Sequence, residues 1–169
     1  MKNNWTIIVF ILTFILAAIF SVIANLLGNL NNFILLSVTL LVLFIGIIFD
    51  CIGTAALSCD IKVFHSKASQ KIKGSKEAIS LAKNNTKVSS VCNDIVGDIC
   101  GIISGSLLTV LIINIFVNKD LTIYNIVFTA ILSSLTVGGK ALGKTYAVKR
   151  SNDIIFKAGK FISKFKRKK

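Results

Sequence analysis

Residues 33–57 read FILLSVTLLVLFIGIIFDCIGTAAL, and this stretch decides the fold. It is almost wholly apolar and contains one carboxylate, Asp50. A run of this length can cross the hydrocarbon of a bilayer, which is about 30 Å thick, so it predicts a transmembrane helix. The carboxylate within it needs an explanation, because a charge in hydrocarbon costs about 3 kcal/mol.

The rest of the chain is equally apolar. Of its 169 residues, 54% are hydrophobic and none is proline, and no charged residue lies between Lys2 and Asp50. This composition predicts an integral membrane protein of the all-α class. The predicted transmembrane helices cover residues 5–27, 33–57, 88–117 and 121–147. Short polar connections between the first two and the last two predict antiparallel hairpins in a polytopic bundle of four helices.

The first helix has a second interpretation. Lys2 followed by an apolar run and the small residues near Ala24 also fits a cleaved signal peptide, which would leave a bundle of three helices. Residues 1–32 form the predicted N-terminal helix and turn, residues 33–150 the main transmembrane domain, and residues 151–169 a basic tail.

The basic residues predict the orientation. The formal net charge is +13, and every Lys and Arg except Lys119 falls on one side of the predicted topology. Both termini and the connection 60–87 are therefore predicted to be cytoplasmic, and a bacterial inner membrane is the predicted location.

The connection 60–87 and the tail both have apolar residues at helical spacing with lysines between them. This pattern predicts amphipathic helices on a bilayer surface with anionic headgroups, and it does not favour nucleic acid. The predicted membrane-surface residues are Lys62, Lys67, Lys71, Lys73, Lys164, Lys166 and Arg167.

Three aspartates fall inside the predicted spans. At 1.5 Å per residue, Asp50, Asp94 and Asp98 lie about 9 to 15 Å from the cytoplasmic ends of their helices. Intramembrane carboxylates usually face a cavity, a partner or an ion pathway. Hydroxyls accompany them at Thr54 and Ser104, and oxygen donors of this kind suit hard cations such as Mg²⁺.

Structural roles remain open for the same residues. Asp50 could pair with Lys62 or Lys140, and Asp94 could favour a helix N-terminus. The glycine ridge at Gly97, Gly101 and Gly105 is commonly a packing feature. The four cysteines have no ligand spacing, so they are expected to be small apolar fillers rather than a soft-metal site.

The order of these segments resembles the membrane domain of the CorC and cyclin M (CNNM) family, also called domain of unknown function 21. The resemblance covers about residues 33–165 and rests on four features: the small-residue patch FDCIGTAAL, the basic amphipathic connection, a helix with Gly97 and Asp98, and a last helix ending in small residues and lysine. It implies a divalent-cation transporter, most directly for Mg²⁺, with efflux proposed to be coupled to Na⁺ entry.

The resemblance also implies the ligands. Cys51 or Asp50 stands at the family's Ser, Gly97 and Asp98 match its Gly-Asn, and Thr136 stands where its Glu precedes Pro-Lys. The family's nucleotide-sensing CBS pair is absent from these 169 residues, so no such regulation is expected within them. The predicted metal site comprises Asp50, Cys51, Asp98, Ser104 and Thr136, with Asp94, Gly97 and Thr54 as secondary candidates.

The predicted function is therefore transport of a divalent cation by a homodimer, because three or four short helices seldom enclose a pathway alone. The alternative is a non-transporting accessory or sensor protein of the same family. No HExxH, nucleophile elbow or phosphate loop is present, so the sequence predicts no enzyme and no organic cofactor. Hydrolysis by Asp50 with Asp98 is the one enzymatic alternative.

Overall fold

The computed structural model describes residues 2–116 and 121–166, with the side chains of residues 2–6, 25, 29 and 166 not described. The described residues form helices and turns and no strand. Four helical stretches are long and apolar enough to cross a membrane: Ile7–Ala24, Asn32–Ser58, Asn85–Ile115 and Leu121–Lys149. The prediction of an all-helical chain with four helices of membrane-spanning length is confirmed.

The described part of the chain contains eight α-helices. They are α1 (Lys2–Leu26), α2 (Asn32–Ser58), α3 (Ile61–Ser69), α4 (Ser75–Lys83), α5 (Asn85–Ser89), α6 (Asp98–Ile115), α7 (Leu121–Lys149) and α8 (Ser151–Lys166). A short 3₁₀ turn, Leu27–Asn29, follows α1. A π-helix, Ser90–Gly97, lies between α5 and α6.

The described residues divide into two compact units, and each is described by itself. The first unit takes its residues from 1–47 and 95–139. Its core consists of Ala24, Leu35, Leu43, Leu107, Leu108, Leu111, Ile112 and Leu132, which come from α1, α2, α6 and α7. Gly46 allows α2 to approach α6 closely, since a Cβ there would lie 2.9 Å from the Cβ of Cys100.

Polar groups fix the turn between α1 and α2 in this unit. The Asn31 side chain accepts a hydrogen bond of 3.0 Å from the backbone N–H of Phe33 and so begins α2. The Asn114 amide donates a bond of 2.7 Å to the carbonyl of Gly28. This second bond attaches α6 to the turn and satisfies a carbonyl that the end of α1 leaves without a helical partner.

The second unit takes its residues from 48–94 and 140–169. Its core consists of Ala55, Ala56, Phe64, Ala78, Ala82, Ala147 and Ile155. The amphipathic helices α3, α4 and α8 were predicted from the lysine-rich connection and tail, and their apolar faces pack on one another and on the ends of α2 and α7. Phe64 is fully buried in this cluster, so the apolar face of α3 is covered by protein at that point.

Three helix ends are joined by hydrogen bonds in the second unit. Asp60 caps α3 by accepting a bond of 2.9 Å from the N–H of Lys62. The N–H of Asp60 donates to the Asn152 side chain at 2.8 Å, and the Ser151 hydroxyl donates to the carbonyl of Ser58 at 3.2 Å. These bonds attach the start of α8 to the end of α2.

The packing of α8 on α4 depends on Gly159. A Cβ at this position would lie 2.7 Å from both the backbone nitrogen of Ala78 and the carbonyl oxygen of Gly74, which are backbone atoms that cannot move aside cheaply. We expect Gly159→Ala to lower the free energy of unfolding by about 1 to 3 kcal/mol. The measurement is the thermal unfolding midpoint of the purified protein in detergent.

Gly138 is the matched control for this substitution, because a Cβ there meets no described atom within 4 Å. Gly138→Ala should leave stability unchanged or raise it by up to about 1 kcal/mol through helix propensity. Equal effects of the two substitutions would contradict the proposed steric role of Gly159.

Candidate cation site

Asp50 is buried in the second unit. Its residue is 3% exposed, and its Oδ2 accepts no hydrogen bond among the described residues. The ammonium of Lys144 on α7 lies 3.5 Å from Oδ2, close enough for an ion pair. About half of the Lys144 side chain is exposed, whereas that of Asp50 is almost fully enclosed. The carboxylate is therefore the desolvated member of the pair, and it depends on Lys144 for its electrostatic compensation.

Asn93 supplies a second buried oxygen. It lies in the π-helix, and its amide group donates a hydrogen bond of 3.2 Å to the Ser89 hydroxyl. Its Oδ1 is buried and has no hydrogen-bond partner among the described residues. Segments of π-helix inside α-helices occur frequently at functional sites, because the wider turn redirects side chains and backbone groups.

Gly53 links these two residues. A Cβ at Gly53 would overlap the side-chain amide of Asn93, so a larger residue here would displace that side chain from its position against α2. Asp50 and Gly53 are three residues apart on α2 and share a helix face. The second unit therefore places a buried carboxylate one helical turn from the point where Asn93 contacts α2.

This arrangement has a chemical meaning. An unsatisfied buried acceptor costs about 1 to 3 kcal/mol, and more when it is charged. Asp50 Oδ2 and Asn93 Oδ1 are both acceptors, so a cation or a hydrogen-bond donor is what would satisfy them. Carboxylate and amide oxygens are ligands of hard cations.

The other two predicted carboxylates are exposed. Asp94 accepts a hydrogen bond of 2.7 Å from the Ser90 hydroxyl, one turn earlier in the π-helix. Asp98 begins α6 and belongs to the first unit. Neither carboxylate is enclosed as Asp50 is.

The predicted hydroxyl ligands bond to their own helices. The Ser104 hydroxyl donates to the carbonyl of Gly101 at 3.0 Å, and that of Thr136 donates to the carbonyl of Leu132 at 2.8 Å. Both residues belong to the first unit. Each hydroxyl keeps lone pairs that can accept a further bond. Thr54 is half-buried on α2 in the second unit.

The three glycines of the ridge, Gly97, Gly101 and Gly105, differ in their surroundings. Gly97 is buried, but a Cβ at Gly101 or Gly105 meets no described atom within 4 Å. The close approach of helices to α6 therefore occurs at Gly46 and Gly28, which lie against Cys100 and Val110, rather than at Gly101 and Gly105.

The cysteines do not form a soft-metal cluster in the described residues. Within residues 2–116 and 121–166, no group of three or more His, Cys, Asp and Glu side chains could hold a metal ion. Cys51 is half-buried next to Asp50, and Cys92 and Cys100 are buried. Cys59, outside the apolar span, donates to the carbonyl of Ala56, and burial followed by the nearby Asp60 carboxylate raises the pKa of its thiol.

Most of the predicted membrane-surface lysines are exposed to solvent. Lys62, Lys71, Lys73 and Lys164 are exposed, while Lys67 is half-buried with its ammonium 4.1 Å from the centroid of the Phe156 ring. The side chain of Lys166 and the whole of Arg167 lie outside what the structure describes.

Comparison with known proteins yields no relative. No family model, curated protein or solved structure matches this chain. The resemblance to the CorC and cyclin M membrane domain therefore stays a prediction based on the sequence motifs.

Asn93 and Lys144 are the two members of this site that the sequence analysis did not single out. Asn93 stands in the polar run SSVCND, where the adjacent Asp94 draws attention first. Lys144 follows Lys140 by four residues in KALGK, near the predicted cytoplasmic end of the last span. A lysine at this position is typical of a residue that only fixes the topology. Lys62 and Lys140 are the partners of Asp50 that the sequence suggests, and only the packing of α7 selects Lys144.

The different exposure of the Asp50 and Lys144 side chains gives a test of their ion pair. Lys144→Met leaves Asp50 buried without its counter-ion, whereas Asp50→Asn leaves Lys144 half-exposed to water or headgroups. We expect Lys144→Met to cost about 2 to 3 kcal/mol of unfolding free energy and Asp50→Asn to cost less. The double variant should recover part of the loss, with a coupling of about 1 to 2 kcal/mol.

Lys149→Met on the same helix is the control, because Lys149 is exposed and should change stability by less than about 0.5 kcal/mol. Denaturant unfolding of all four variants in one detergent measures the cycle. Strictly additive losses at Asp50 and Lys144 would contradict the ion pair.

Proposed function

We propose that this chain is a cation transporter of the cell membrane in which Asp50 and Asn93 bind the ion. One observation carries the proposal: two buried acceptor oxygens in the second unit accept no hydrogen bond among the described residues. Asn93 Oδ1 has no partner there, and Asp50 Oδ2 has only the Lys144 ammonium at 3.5 Å. Proteins rarely leave buried acceptors unsatisfied, so a bound ion or water molecule is the expected partner of these oxygens. The four membrane-length helices supply the setting for transport.

Lys144 gives the proposed site two states. In one state its ammonium compensates Asp50, and in the other a bound cation does so while Lys144 turns toward water, which its half-exposed side chain permits. The carboxylate is compensated in both states, so neither state carries the full cost of a bare buried charge. Transport requires that the affinity of the site for the ion differ between two states of the protein. Exchange of the ion with the Lys144 ammonium is the proposed source of that difference.

The ion that we propose first is Mg²⁺, as the sequence resemblance implies, with Na⁺ as the second candidate. Both are hard cations that bind oxygen, and Mg²⁺ in proteins is commonly held by one or two carboxylates together with water. Copper and zinc are less suitable, because the half-buried Cys51 is the single thiol adjacent to Asp50 in sequence. Asp98, Ser104 and Thr136 stay in the proposal as candidate residues of the ion pathway.

Several further features belong to the same proposal. They are efflux coupled to Na⁺ entry, a homodimeric assembly, a bacterial inner membrane and cytoplasmic termini. No enzymatic activity, organic cofactor or nucleic-acid partner is proposed.

A specific observation also favours the accessory-protein alternative. Lys144 already lies at ion-pair distance from Asp50, so the pair could serve only to hold α2 and α7 together in the second unit. The two functions differ in whether any added cation binds at Asp50.

The test is a titration of the purified protein in neutral detergent with Mg²⁺ and, separately, Na⁺, followed by thermal unfolding. A ligand present at about 100 times its Kd stabilises the folded state by about 2.7 kcal/mol. We expect saturable stabilisation by one of the two cations, lost in Asp50→Asn and weakened at least tenfold in Asn93→Ala.

Asp94→Asn is the matched control, since it removes the same charge from an exposed position one residue from Asn93. It should leave the cation response unchanged. Stabilisation that survives Asp50→Asn, or that Asp94→Asn abolishes equally, would overturn the proposed site. A positive result leads to flux measurements in proteoliposomes, in which absence of transport would favour the accessory function.

A further inference from the structure

A basic cavity lies between the turn that joins α3 to α4 and the C-terminal half of α8. It has a volume of about 610 Å³ and is lined by Lys71, Lys73 and Lys76 together with Ser163 of α8. Glu77 is the single acidic residue in its lining, so the lining carries three basic residues and one acidic residue. The size falls within the range of small-molecule sites, and the charge favours an anion.

The backbone holds these lysines in place. Lys71 has a φ of 56° and Gly74 a φ of 91°, and the turn is seated directly on α8, since a Cβ at Gly74 would lie 2.7 Å from the Cα of Lys160. The Ser75 hydroxyl closes the turn by donating to the carbonyl of Ile72 at 2.8 Å. Lys71 and Lys73 therefore project from a fixed turn and Lys76 from the first turn of α4, so binding an anion orders little additional backbone.

A second, smaller cavity of about 220 Å³ shares Lys76 and Glu77 with the first. Its other lining residues include Leu81 of α4 and Ile162 of α8, which are apolar. Beyond Ile162, the rings of Phe161 and Phe165 are 63% and 67% exposed and contact each other with centroids 5.0 Å apart. Ile162 and Phe165 are three residues apart on α8, and Phe161 and Phe165 are four apart, so this helix carries a row of apolar side chains that starts at the smaller cavity.

The geometry points to a binding site for one anionic glycerophospholipid, with its phosphate among Lys71, Lys73 and Lys76 and its acyl chains along Ile162, Phe161 and Phe165. The lysine cavity matches the charge of the headgroup, and the adjoining apolar surface matches the chains. A free phosphate would use only the first feature, and a neutral lipid only the second. The four membrane-length helices of the chain keep it in contact with such lipids.

This site differs from general attraction of lysines to a charged bilayer. General attraction depends on the number of basic residues near the surface, at about 1 kcal/mol each, and not on which ones they are. A formed site depends on three particular lysines and on the neighbouring apolar residues. The inference is independent of the cation proposed at Asp50.

The experiment uses the full chain in neutral detergent and adds short-chain phosphatidylglycerol, short-chain phosphatidylcholine or inorganic phosphate. Thermal unfolding gives the apparent affinity, and native mass spectrometry counts the bound lipids. We expect one phosphatidylglycerol to bind saturably. The triple variant Lys71→Gln, Lys73→Gln, Lys76→Gln should weaken that binding at least about tenfold.

The matched control is Lys62→Gln, Lys83→Gln, Lys149→Gln, which removes the same charge from exposed positions outside both cavities. It should change the affinity less than about threefold. Ile162→Gln, at a side chain 41% exposed, should weaken phosphatidylglycerol about three- to fivefold without affecting phosphate. Each lysine is also changed singly to Gln, so that the comparison holds even where the triple variant folds poorly.

Three outcomes would overturn the inference. Equal losses in the site and control triples would mean diffuse attraction. Equal binding of phosphatidylcholine would remove the role of the lysines. Stabilisation by inorganic phosphate with the same lysine dependence, and no gain from the lipid, would make this an anion site without a lipid.

Discussion

The constraint on which this structure depends is that a backbone in hydrocarbon must satisfy its own hydrogen bonds. A helix does so within one segment, and the described chain accordingly crosses its apolar regions only as helix. Deviations occur where other polar groups compensate. The turn after α1 is the example, because the Asn114 amide donates to the backbone carbonyl of Gly28.

The two units use different means of burial. In the first unit, leucines of α2 and α6 form the core, and many large side chains on the outside stay exposed, as expected where lipid replaces protein. In the second unit the core is built from small residues around Phe64, and glycines bring α4 and α8 into backbone contact. Lysines then occupy the outer faces of the same helices.

Much of this could be predicted from the sequence. Uninterrupted apolar runs identified the spans, and the 3.6-residue spacing in residues 60–87 and in the tail identified amphipathic helices. Asp50 could be named as a site residue because a carboxylate in such a run is rare. Its partner could not, because several lysines are within reach along the chain and only the packing of α7 selects Lys144. The orphaned oxygen of Asn93 depends on the contact with Gly53, which residue types alone do not reveal.

The pairing of Asp50 with Lys144 also has an electrical consequence. A bare carboxylate that moved through the whole membrane potential would exchange about 2.3 kcal/mol with the field for every 100 mV. The carboxylate and ammonium together carry no net charge, so the field does little work on them as a unit. Movement of this pair as a unit would therefore contribute little to any voltage dependence of the protein.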